Sequence, residues 1–305
     1  MNNKTQTNIN PWYITGLTDG DGSFIISIVK SKTSKIGWSI LIHYQLVAEN
    51  NPANYTMLNE VKLFFGVGSI INNSRDNTIV YNVSGLQNCL IIKNHFINYP
   101  LLTYKFVYFQ LWSQIINIVL LEEHQTYLGL LKIIALKAHF KMGLSKLLLN
   151  HFSDFTPIKS PNYNPDLNLM NIHWLCGFIN ADGSFSLIIQ KGLGYKLGER
   201  CTLEINITQH ELSLIVLEHI TKFLRIGSIS KKHKQPAYSY RITSLKSINE
   251  FITKFNNAQL LGAKALDYSD FCKGVEMVNI GKHLTTEGLI ELKTLSAGMN
   301  SKRTK

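Results

Sequence analysis

The stretch Trp12-Tyr-Ile-Thr-Gly-Leu-Thr-Asp-Gly-Asp-Gly-Ser-Phe24 returns as His173-Trp-Leu-Cys-Gly-Phe-Ile-Asn-Ala-Asp-Gly-Ser-Phe185, with Asp21 and Asp182 in the same place. Pro11 suits the first turn of a helix, and the pattern predicts one running to Asp19 or Gly20. Gly16 and Gly20 share a helical face, as do Gly177 and Ala181 in the second copy. Small residues at that spacing let two helix backbones approach closely. Gly22 and Gly183 follow directly and suit a left-handed helix end. Two such helices side by side would bring Asp21 and Asp182 together at ends rich in free carbonyls. Carboxylates held close there repel unless a cation sits between them. Oxygen ligands suit Mg²⁺, and metal ions that bridge attacking and leaving oxygens are a route to phosphodiester hydrolysis. A calcium loop of the EF-hand type is the rival reading, and it wants Gly at its sixth and Glu at its twelfth position. Counted from Asp19 those places hold Phe24 and Lys30, and counted from Asn180 they hold Phe185 and Lys191, so this reading fails twice.

The echo extends outward from the motif. Gly68-Ser69-Ile70 returns as Gly227-Ser228-Ile229, Tyr81-Asn-Val-Ser-Gly-Leu86 as Tyr240-Arg-Ile-Thr-Ser-Leu245, and Leu101-Leu102-Thr-Tyr-Lys105 as Leu260-Leu261-Gly-Ala-Lys264. Order and spacing are kept, which identifies one duplicated unit. Each copy reads as helix, two strands, helix, two strands, helices. Phe24–Lys30, Trp38–Val47 and Thr78–Ser84 read as strands in the first copy. Phe185–Gln190, the alternating run around Leu203, Ile205 and Ile207, and Tyr238–Thr243 read as strands in the second. Asn54–Phe65 and Glu211–Leu224 read as amphipathic helices. The expected fold is α+β: two pseudo-symmetric αββαββα repeats, each with helices on one face of an antiparallel sheet and a polar, exposed opposite face. The repeats would occupy 1–152 and 172–305. Between them, 153–171 reads as an extended linker, since Ser153–Asn171 holds Pro157, Pro161 and Pro165, three of the seven prolines.

The chain has 305 residues and a net charge of +11. Split at residue 160, it carries 13 basic against 8 acidic residues before and 18 against 12 after, so both copies are basic. That favours a polyanion in contact with both. Cys89, Cys176, Cys201 and Cys272 form no CxxC pair, which speaks against a zinc site or a disulfide framework and for buried reduced thiols. Met1–Asn10 is polar and does not read as a signal peptide. The apolar run Tyr99–Leu121 is interrupted by Lys105, Gln110, Ser113, Gln114 and Asn117, so it reads as a buried helix and not a membrane span. Abundant Asn, Ile and Lys, with A/T-rich codons, point to an AT-rich genome such as an organelle's.

Ile14-Thr-Gly-Leu-Thr-Asp-Gly-Asp-Gly22 and Leu175-Cys-Gly-Phe-Ile-Asn-Ala-Asp-Gly183, each followed by Ser-Phe, resemble the motif of the LAGLIDADG homing endonucleases. The resemblance covers nearly the whole chain, including Phe65-Gly-Val-Gly68 and the Leu-Leu-x-x-Lys segments. Two motifs in one chain resemble the monomeric members encoded in mobile introns, often in fungal mitochondria. The resemblance implies that Asp21 and Asp182 bind Mg²⁺, helped by the carbonyls of Gly20 and Ala181, with Ca²⁺ binding but not supporting cleavage. It implies two sheets forming a saddle over the major groove of double-stranded DNA, and a staggered cut of both strands that promotes intron mobility. It places Lys105 and Lys264 near the scissile phosphate, where a lysine stabilises developing negative charge. It gives Gln209 a part in the water network, with Asn50 as its first-copy partner, or Glu49 if the alignment slips by one. Asn180 departs from the pattern in replacing the motif's first acidic residue, and Thr18 and Cys176 replace commoner apolar residues.

An exposed sheet face reads base edges in the major groove. Candidates on the polar sides of the strands are Ser27, Lys30, Asn82, Ser186, Gln190, Thr202, Glu204 and Arg241. Loops would add Lys32, Lys35, Arg75, Lys191, Lys196, Arg200, Lys231, Lys232 and Lys234, more suited to holding phosphates than to specifying bases. The alternative is an intron maturase of the same fold that binds intron RNA. A DNA-binding regulator without catalysis is disfavoured because neither motif aspartate is lost. A membrane-surface protein is disfavoured because the basic residues do not lie on an amphipathic helix.

Overall fold

The computed structural model describes residues 8–300 and Arg303, apart from Pro157, Lys196, Asn257 and Ala258. Lys196 therefore lies outside the described residues. Two compact units divide the chain. One is built mainly from Asp21–Ala48 and Leu58–Asp166, the other from Trp12–Gly20, Glu49–Met57 and the chain from Leu167 onward. The first motif helix, α1 (Pro11–Asp21), thus packs its body with the second unit.

In the first unit β1 (Gly22–Lys30) and β2 (Trp38–Glu49) pair antiparallel, α2 (Pro52–Phe65) follows, and β3 (Ser69–Asn73) and β4 (Thr78–Ser84) complete a sheet ordered β1-β2-β4-β3. Period-two alternation decides which face is covered. Phe24, Ile26, Ile28, Ile42, Tyr44, Leu46, Ile79, Tyr81 and Val83 all point inward and are buried. Helices α3 (Leu86–Asn98), α4 (Lys105–Leu120), α5 (Tyr127–Lys137) and α6 (Lys146–His151) follow. The Phe24 ring lies 5.3–5.6 Å from those of Tyr44, Phe96, Phe109 and Trp112, an aromatic core between sheet and helices. His95 is buried among Phe64, Phe65 and Phe96, and burial lowers its pKa from 6.5 to about 3.

The second unit repeats the order: α7 (Ile172–Asp182), β5 (Gly183–Lys191), β6 (Glu199–His210), α8 (Leu214–Leu224), β7 (Ser228–Lys231), β8 (Ala237–Ile242), α9 (Leu245–Phe255), α10 (Gly262–Asn279) and α11 (Thr286–Ala297). Its antiparallel sheet runs β5-β6-β8-β7. The duplication holds at the level of single bonds. Tyr81 Oη donates to the Val67 carbonyl at 2.8 Å, and Tyr240 Oη to that of Ile226 at 2.7 Å. Gly68 and Gly227 lie beside those rings with φ of 89° and 83°, where a Cβ would come within 2.8 and 2.6 Å of the aromatic carbons. Thr126 caps α5 by accepting from Gly129 N at 3.0 Å, and Thr285 caps α11 by accepting from Gly288 N at 3.1 Å. The exposed pair Lys132–Glu123 beside the first cap reappears beside the second with its signs exchanged, as Glu291 and Lys282. Among the described residues no helix is long and apolar enough to cross a membrane.

Several local expectations are corrected. Neither Gly22 nor Gly183 is left-handed. Gly183 has φ −84° and opens β5, and its lack of a Cβ avoids the Ile179 carbonyl oxygen, which one would approach to 2.6 Å. The apolar run from Tyr99 becomes helical only at Lys105, and Leu101–Thr103 are buried in a non-helical segment before it. Glu211–Ser213 form a 3₁₀ turn before α8. The proline-rich segment after 152 is tied down: Asp154 accepts from Tyr127 Oη, the Ile158 carbonyl meets His139 and Tyr163 Oη donates to the Leu102 carbonyl. Cys89 and Cys176 are buried, with thiols pushed up to about 12 by burial, but Cys201 and Cys272 are only half-buried. The uncovered face of the first sheet is not uniformly polar, since Val29, Leu41, Val47 and Ile71 are all more than a third exposed there.

Candidate functional site

The second unit is organised around the contact of α1 with α7. A Cβ on Gly16 would lie 1.9 Å from the Trp174 carbonyl oxygen, and one on Gly177 1.9 Å from that of Tyr13. A Cβ on Gly20 would fall 2.2 Å from the Ala181 Cβ and 3.1 Å from Asp182 Oδ2. The small-residue stripe therefore brings the backbones of the two motif helices together along their length.

That packing explains the motif's other polar positions. Asp19 is buried and accepts from Trp174 Nε1 at 2.8 Å. At the reciprocal place Asn180 is buried, donates from Nδ2 to Met57 Sδ at 3.2 Å and accepts at Oδ1 from Leu261 N at 3.1 Å. Tyr13, the counterpart of Trp174, donates to the same sulfur. Asp19 and Asn180 are thus packing groups, which is why an amide can stand where the motif usually has an acid. Sequence reading did not find these partners.

Asp182, at the last turn of α7, is half-exposed and accepts from Gln209 Nε2 at 2.6 Å. Gln209 lies inside β6, one residue from its end. Lys264, in the first turn of α10, donates from Nζ to the Gly183 carbonyl at 2.6 Å, one residue past Asp182. Two amides set that helix start. Asn54 Oδ1 accepts from Ala263 N at 2.9 Å, while Asn180 holds Leu261. Asp182, Gln209 and Lys264, distant in sequence, are gathered at one corner, with the backbone of Gly20 and Ala181 beside them.

In the first unit Asp21 ends α1 in an exposed position and Lys105 opens α4, half-buried. Asn50 lies in the turn after β2, exposed. Strand register gives the first-copy counterpart of Gln209 differently from the sequence. Gly22 faces Leu46 as Gly183 faces Ile207, so the residue two beyond Leu46, Ala48, matches Gln209.

The sheet faces sort the remaining candidates. Ser27 and Asn82 lie on the uncovered face of the first sheet, where Asn82 accepts from Gln45 Nε2 at 3.0 Å. Ser186, Gln190, Arg200, Thr202, Glu204 and Arg241 share the uncovered face of the second, with Arg241 and Glu204 paired at 3.8 Å. Lys30 is corrected: its parity is that of the buried Phe24, Ile26 and Ile28, and its ammonium sits 5.8 Å from the Trp38 ring. Lys191 and Lys231 likewise end strands on the covered side, Lys231 over Tyr238 at 5.9 Å, so they and Arg200 are strand rather than loop residues. Lys32, Lys35, Arg75 and Lys234 are exposed in turns, and Lys232 is half-exposed in one.

Among the described residues no three His, Cys, Asp or Glu side chains converge as a metal cluster. The donor set fits a hard cation held through one or two carboxylates, with carbonyl, water and phosphate oxygens completing the shell, as Mg²⁺ usually is. Residues 14–116 and 175–275 match the model of one family, described as LAGLIDADG endonuclease. The chain belongs to the LAGLIDADG endonuclease family. A curated family relative is the "Probable intron-encoded endonuclease 3" of Neurospora crassa. It is 32% identical over 288 residues, which cover 94% of this chain and 54% of that protein, so the chain spans about half the relative's length. Among solved LAGLIDADG structures, I-SmaMI bound to cleaved DNA matches with a TM-score of 0.92 at 32% identity, covering 97% of this chain and 98% of that one. I-SmaMI bound to uncleaved DNA target in the presence of calcium ions matches with a TM-score of 0.91 at 32% identity, covering 96% and 99%. Both complexes hold DNA, which favours a DNA target over the RNA-splicing alternative.

Proposed function

We propose that the chain is a site-specific DNA endonuclease that cuts both strands of a long duplex target with a divalent cation and so promotes the mobility of its intron. The observation that supports this most is the corner at Asp182, where Gln209, Lys264 and the close backbones of the two motif helices meet at a family motif. Asp21 and Asp182, with the carbonyls of Gly20 and Ala181, are the proposed ligands of Mg²⁺; Ca²⁺ would bind without cleavage. When bound, the cation supplies charge that stabilises attacking and leaving oxygens. Gln209 orients the Asp182 carboxylate by donating to its Oδ2. Lys264 holds an ammonium on the Gly183 carbonyl, one residue past Asp182, able to stabilise a phosphate that gains negative charge. Lys105 is proposed for the same part in the first copy, and Asn50 for a supporting one. The repeats 1–152 and 172–305, joined by 153–171, each take part of the target, and the monomer works in a fungal mitochondrion. Ser27, Asn82, Ser186, Gln190, Thr202, Glu204 and Arg241 contact base edges in this reading, and the exposed turn lysines contact phosphates.

Selection of cleaved sites from a random DNA library with Mg²⁺ identifies the target. On that target Asp182→Asn and Asp21→Asn should each abolish double-strand cleavage while binding persists. Normal cutting by either variant would remove the assignment.

A further inference from the structure

The two sheets fold alike but present different chemistry on their uncovered faces. Strand register equates Ile25 with Ser186, Val29 with Gln190, Leu41 with Thr202 and Val47 with Thr208. The β3–β4 register equates Ile71 with Ser230 and Val80 with Ser239. Six aliphatic positions on the first sheet are thus hydroxyl or amide positions on the second, while Ser27 against Ile188 and Thr78 against Ala237 run the other way. On the first sheet Val29 is 39%, Leu41 43%, Val47 37% and Ile71 49% exposed. The fold does not require them, because the other copy builds the same sheet with polar residues in those places.

An aliphatic row on a face that meets DNA has one apolar partner among the base edges of the major groove, the C5-methyl of thymine. We propose that the first sheet reads its half of the target through thymine methyl groups, by contact with Ile25, Val29, Leu41, Val47, Ile71 and Val80, whereas the second reads its half through hydrogen bonds. This rests on the endonuclease reading above. The basic charge of both copies favours DNA as the occupant over a second protein. Replacing thymine by deoxyuridine removes the methyl and leaves pairing and polar groups intact, which isolates this contact.

The test uses the full chain and its selected target, with deoxyuridine placed in one half-site at a time and binding measured in Ca²⁺. In the half read by the first sheet each contacted methyl lost should weaken binding about fourfold, the equivalent of one buried methylene. The other half should be indifferent. Leu41→Thr, which installs the residue of the second copy at an exposed strand position, should abolish the response at one position and so assign that half to the first sheet. Equal sensitivity of both halves, or indifference of both, overturns the proposal while leaving the endonuclease reading standing. Failure to bind any duplex overturns both. Dimerisation that is lost in Leu41→Thr would show the face to be a protein interface and likewise overturn it.

Discussion

His95 shows how one side chain sets a pH limit for the first unit. Its imidazole is held neutral by burial, with a folded pKa of about 3 against an ordinary value of 6.5. The unfolded chain therefore binds the proton first as pH falls, and stability drops between pH 6.5 and about 3. At pH 5 this residue alone should cost about 2 kcal/mol relative to pH 8. Urea unfolding at both pH values, compared with His95→Leu, checks it, since the variant should show a correspondingly shallower pH dependence. At this scale the motif singles out Asp21 and Asp182 as candidates, and the resemblance, with the repeated Leu-Leu-x-x-Lys, adds Lys105 and Lys264. Asp19 and Asn180 were not readable as packing groups, because their partners Trp174 and Leu261 are fixed only by how helices meet. The counterpart of Gln209 was missed for a different reason. The spacing between copies changes from 161 residues in β1–β2 to 159 from α2 on, so a shift in the turn after β2 hides Ala48 behind Asn50.

Among elements, α1 and α7 depend most on single atoms. A methyl group on Gly177 would overlap the backbone of Tyr13 and Leu17, which cannot move as a flexible side chain could. Gly177→Ala should therefore destabilise the second unit by about 3 kcal/mol, the upper end of overpacking costs. Chemical denaturation would show it, and a change near zero would mean that the helices separate cheaply. The strands could be placed from the sequence nearly to the residue, as with Thr78–Ser84, because alternation is a strong signal for a sheet covered on one side. Helix starts were harder. Nothing local in Leu101–Thr103 says that these buried residues stay out of α4.

For the molecule as a whole, composition carries a direct consequence. A chain with net charge +11, basic in both copies, should bind duplex DNA largely by releasing counterions. Affinity should fall on the order of a thousandfold between about 50 and 200 mM salt if six or more phosphates are contacted. A log–log plot of binding constant against salt measures the slope, and a flat line would contradict phosphate-dominated binding. The pairing of two like units followed from the duplication, and their α+β character from strand alternation and helical periodicity. The difference between the two uncovered faces did not, because it becomes visible only once register fixes which residues face out.

The reversed ion pairs beside the two caps bear on how such a gene can rearrange. Glu123 and Lys132 stand in one repeat where Lys282 and Glu291 stand in the other. A mosaic whose crossover fell between the members of a pair would set lysine against lysine or glutamate against glutamate. Exposure keeps that penalty small, below about 1 kcal/mol, but its sign is fixed. Genetic exchange between the halves is electrically silent only when both members travel together, so each repeat carries a short block of sequence that is slightly favoured to be inherited whole.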